Sequence, residues 1–149
     1  MADSPGSGGE LFIVDNSISD WTGLEYLRQW TDIANGFDIA TGFFEIGSLL
    51  ALEGSWQKLD KIRILMGDQA SLRTKKAFAQ AIEARAGRLD SSLEDEKAAN
   101  PFLAGADAVV EALRSGKIEC RVYRKDKFHA KAYITHAKLD VVGAQALVG

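Results

Sequence analysis

A single cysteine, Cys120, stands among 149 residues, so no intrachain disulfide can form and a reducing, cytoplasmic setting is expected. Histidine is almost as scarce. His129 and His136 are the two, and no other His or Cys has the close spacing of a structural zinc site, so neither a metal nor a cofactor is expected. No apolar run approaches the roughly 20 residues that span a bilayer, which removes the membrane as an expected partner. Residues 1–10 lack the basic start and apolar stretch of a signal peptide. Their Ser-Pro-Gly-Ser-Gly-Gly composition is that of a disordered leader. An overall excess of positive charge is also missing: the net charge is −3, which argues against a general polyanion binder.

What is present fits one globular domain over 11–149, with 46% hydrophobic and 26% charged residues. Its charge is unevenly placed. Residues 1–60 hold ten acids and two bases, Arg28 and Lys58. Residues 114–138 hold eight bases against Glu119 and Asp126, so an anionic ligand would meet positive potential there. A solvated, lysine-protected edge strand would carry the same charges.

Hydrophobic periodicity predicts strands at 11–14, 37–44, 62–66, 118–123, 128–135 and 146–149. Between them it predicts a helix capped by Asp20 and ended by Asn35-Gly36, an apolar helix over 47–56, and a helix over 71–85. A further helix runs from Pro101 to Gly116, and a turn falls at His136 to Asp140. Strands separated by helices and then consecutive strands indicate an α/β fold, a mixed central sheet flanked by helices. The last strand stops on Leu-Val-Gly, as if cut from a longer polypeptide.

Within the predicted strand at 128–135, His129 and Lys131 are two residues apart and would share a face, with Tyr133 further along it. A nucleophile or proton carrier beside a fixed cation is what attack on an anionic phosphate needs. Thr41, Phe43 and Glu45 lie at the end of another predicted strand, where α/β sites often form, and are candidate substrate-binding residues with Tyr133. Helical spacing favours core packing for Trp21, Trp30 and Trp56 over base stacking. Cys120 reads as buried packing, not as a nucleophile.

Phe-His-Ala-Lys-Ala-Tyr-Ile-Thr at 128–135, with Ala-Leu-Val-Gly at 146–149, resembles the His-x-Lys signature of the phospholipase D superfamily. Ile-Ala-Thr-Gly-Phe-Phe at 39–44 and Ile-Arg-Ile-Leu-Met-Gly at 62–67 are similar to early strands of phospholipase D-like domains found ahead of superfamily-two helicase motors. The resemblance implies a phospholipase D-like sandwich and a metal-independent phosphodiesterase or nuclease-type domain of a larger DNA-processing protein, with a fused helicase motor. His129 would form a phosphohistidine, and Lys131 would stabilise the phosphate oxygens. A second histidine would come from a homodimer partner or from another motif in the same polypeptide. The acid the family carries five residues after the lysine is His136 here, and the family's Gly-Ser-x-x-Asn element would begin at Gly149. The alternative is a catalytically inactive module that grips nucleic acid or dimerises.

Overall fold

In the computed structural model, which describes residues 14, 22–70, 74–75, 78–79 and 106–149, helix α1 spans Gly23–Ile33 and runs straight into strand β1 (Ala34–Phe44). Thr22 caps the helix, its hydroxyl accepting the Glu25 N–H at 3.3 Å. Asp20, the residue expected in that role, lies outside the described residues, as do most of the strand at 11–14, most of the helix at 71–85, and Pro101. The expected stop at Asn35-Gly36 falls inside β1 instead. Gly36 pairs with His136 across the sheet, and a Cβ there would lie 3.4 Å from the His136 ring. Its missing side chain makes room for the histidine and does not end the helix.

Helix α2 covers only Gly47–Leu50, shorter than the helix expected over 47–56. The chain then tightens into successive i→i+3 bonds, turns at Gly54 with φ +86°, and forms a 3₁₀ turn at Trp56–Lys58. Leu49, Leu52, Trp56 and Leu59 are all buried, so this compact winding delivers four apolar side chains to the core in eleven residues. Strand β2 (Lys61–Ala70) follows and continues past the end expected at Met66. Helix α3 (Ala106–Arg114) leads through Gly116, φ +78°, into β3 (Ile118–Tyr123). Strand β4 (Lys131–Ala137) and β5 (Ala144–Val148) form the closing hairpin, which turns at Gly143 with φ +73°.

The five strands form one mixed sheet in the order β3-β2-β1-β4-β5. Strands β1, β2 and β3 are parallel, while β4 runs antiparallel to β1 and β5. Alternation sends Phe37, Ile39, Ile62, Ile64, Met66 and Ile118 to one face. There they cluster with Leu27 of α1, Leu49 of α2, and Val109 and Ala112 of α3. Each fully buried aliphatic or aromatic side chain contributes about 1.5–3 kcal/mol, which makes this face the main source of stability. Trp56 belongs to this core and Trp30 packs against it, as their spacing indicated; Trp21 lies outside the described residues.

The fold is α/β, with helices packed on a five-stranded mixed sheet. Among the described residues no helix covers the opposite face. That face presents Asp38, Arg63, Leu65, Glu119 and Arg121 around a shallow groove of about 460 Å³. No described helix is long and apolar enough to cross a membrane.

Candidate functional site

Because β1, β2 and β3 are parallel, their C-terminal ends lie along one edge of the sheet, and β4 starts at that edge beside β1. The connection from β3 to β4, residues 124–130, has no regular structure. It is fixed to β1 by backbone contact: the Gly42 N–H donates to the Ala130 carbonyl at 2.9 Å. A Cβ on Gly42 would lie 2.6 Å from the Phe128 carbonyl oxygen and 3.3 Å from His129 Cα. Gly67 serves the same crossing from β2, since a Cβ there would collide with the Gly42 carbonyl and stand 3.5 Å from the Phe128 oxygen. These two glycines are required by close backbone approach, not by an unusual φ.

This geometry corrects the expected strand at 128–135. His129 precedes β4, so strand alternation does not set its direction, and the strand begins at Lys131. Both side chains are exposed. Arg124, Lys125 and Lys127 are exposed on the same segment. Among the described residues none of these cations, nor Lys131, has an ion-pair partner, and His129 has no hydrogen-bond partner. The acid within the segment, Asp126, accepts the Lys127 backbone N–H at 2.6 Å.

The other candidates separate. Phe43 is 55% exposed beside the crossing. Thr41 is only 7% exposed and faces the core side, where its hydroxyl donates to the Phe43 carbonyl at 2.9 Å across the irregularity between Thr41 and Phe43. That hydroxyl holds the strand end in shape, so Thr41 shapes the site from beneath and does not line it. Glu45 accepts the Gly47 N–H at 3.3 Å at the start of α2 and does not hold His129. Tyr133 pairs with Ile39 and packs against the core.

His136, expected in a turn, is the sixth residue of β4 and is bonded through Nε2 to Asp38 Oδ2 at 2.8 Å. Five strand steps of about 3.3 Å each put it roughly 16 Å along β4 from Lys131, too far for the two to share a substrate atom. Arg63 grips the same carboxylate, Nε to Oδ1 at 2.6 Å and Nη2 to Oδ2 at 2.5 Å. Partial burial pushes the Asp38 carboxyl up, but hydrogen bonds from Arg63 and His136 and the Arg63 charge outweigh it, leaving its pKa below the ordinary value. Burial pushes the Cys120 thiol up to about 12, so it is a packing group and not a nucleophile.

Two features escaped the sequence reading. One is this Asp38-centred network, joined by residues 25 and 98 positions apart. The other is the Tyr123–Phe128 ring pair, with centroids 5.4 Å apart, which becomes visible only once the 124–130 segment folds back on the sheet. Among the described residues, no group of three or more His, Cys, Asp or Glu side chains could hold a metal ion. No family model matches the chain, and no curated protein matches it.

Proposed function

We propose that this chain is a phosphodiester-cleaving domain of the phospholipase D type, working on nucleic acid within a larger DNA-processing, helicase-bearing protein in a reducing, cytoplasmic compartment. One observation carries the reading. Residues 124–131 expose Arg124, Lys125, Lys127 and Lys131 around His129, where the segment crosses the C-terminal edge of the parallel strands. Cations without ion-pair partners attract a polyanion and hold its phosphates.

In the reaction, an imidazole nitrogen of His129 attacks phosphorus in line. A P–N bond forms as the P–O bond to the leaving group breaks. Lys131 carries the charge on the non-bridging oxygens. A second histidine, His129 of another copy or one from a further motif, protonates the leaving oxygen. It then takes a proton from the water that breaks the P–N bond. The chain's own His136 is excluded from this role by its distance and its bond to Asp38.

A second reading is favoured by a specific observation: among the described residues, nothing orients His129. A module that grips nucleic acid without cleaving it needs only the cations. Cleavage of a labelled oligonucleotide in the presence of a chelator separates the two. Cleavage abolished by His129→Asn with binding retained supports the enzyme. Binding without any cleavage, unchanged by His129→Asn, supports the module.

A further inference from the structure

The edge of the sheet that carries the cations also carries rings. Phe44 is buried and packs on Phe78 with centroids 6.3 Å apart, while its neighbour Phe43 turns outward. Tyr123, the last residue of β3, is 37% exposed, and its ring meets Phe128 at 40°. The Phe128 carbonyl sits over Gly42, the residue before Phe43. One edge of the sheet thus gathers rings from β1, β3 and the crossing segment, beside Arg124, Lys125 and Lys127. Among the described residues, the acids that adjoin these rings and cations along the chain are Glu45, whose carboxylate accepts the Gly47 N–H, Asp68 on β2, and Asp126, whose carboxylate accepts the Lys127 backbone N–H.

We infer that this edge selects single-stranded over duplex nucleic acid, with unpaired bases stacking on Phe43 and on the Tyr123–Phe128 pair. The inference rests on the phosphodiester reading above. A duplex offers its phosphates to the same cations but keeps its base faces stacked inside, so exposed rings add nothing to its binding. A single strand offers both phosphates and base faces, and stacking is tolerant of sequence because every base has a π-face. One exposed phenylalanine would need no explanation. Three rings beside three cations on one edge form a stacking surface.

The test is fluorescence anisotropy with labelled oligothymidylate, oligouridylate and a duplex of equal length, using the His129→Asn protein so that nothing is cleaved. Either single strand should bind at least about tenfold tighter than the duplex. Phe43→Leu and Tyr123→Leu keep apolar volume but remove the ring, and each should lower single-strand affinity about tenfold while bringing the two strand forms closer. If Tyr123→Leu melts at lower temperature, the exposed Phe43→Leu variant decides. Duplex bound as tightly as single strand, or leucine variants without effect, would overturn the inference while leaving the phosphodiester reading intact. No binding of any of the three probes would overturn both.

Discussion

Gly42 lies directly beneath Phe128: its N–H is bonded to the Ala130 carbonyl, and a Cβ on it would come within 2.6 Å of the Phe128 carbonyl oxygen. Backbone cannot yield as a flexible side chain does, so Gly42→Ala must push the 124–130 segment off the sheet. The expected cost is about 1–3 kcal/mol of stability, seen as a lower urea midpoint. Oligonucleotide binding should weaken in the same variant, because the displaced segment carries the cations.

Asp38 gives a pH dependence of definite sign. Its folded pKa is lowered, so its contribution to stability is full above the unfolded carboxylate value near 3.8 and is lost as pH falls through the lower folded value. Its side chain is 27% exposed and Arg63 62%, so solvent screens the pair. Asp38→Ala should therefore cost about 1 kcal/mol at pH 7. Urea denaturation at pH 7 and in strong acid should show the gap between wild type and variant closing on acidification.

Cys120 should resist alkylation in the native state. With its thiol at about 12, little thiolate exists at pH 8, whereas an unfolded cysteine titrates near 8.5. Iodoacetamide labelling followed by mass spectrometry should be at least about a hundredfold slower in the folded protein than in urea.

The loop cations should appear in the salt dependence of binding. Lys125→Ala should lower the slope of log affinity against log salt by about 0.7 for a single strand, without changing stability. Anisotropy titrations at several salt concentrations measure that slope.

How far the sequence discloses this molecule depends on how local each cause is. Ile62, Ile64 and Met66 alternate with Lys61 and Arg63, and although the exposed Leu65 breaks the alternation, a short β-branched apolar run made β2 readable. Its end was not, because Gly67 reads as a stop until the Gly42 carbonyl above it is known. The alternation of Phe128, His129 and Ala130 looks like the start of β4, yet contact with Gly42 holds those residues in a crossing segment. His136 reads as a turn residue, but pairing with Gly36 and bonding to Asp38 keep it in the strand. The candidate histidine and lysine were legible as a motif. The rings and glycines that shape their surroundings come from three separate stretches of chain, and periodicity carries no trace of that meeting.

The most direct test of the central claim uses an activated phosphodiester, bis(p-nitrophenyl) phosphate, with a chelator present. Its leaving group departs without protonation, so formation of the P–N bond needs His129 and Lys131 but no second histidine. A burst of p-nitrophenolate with a matching phosphoryl adduct mapped by mass spectrometry to His129, both absent in His129→Asn, is the predicted result. Equal release by wild type and His129→Asn, with no adduct on His129, would contradict it.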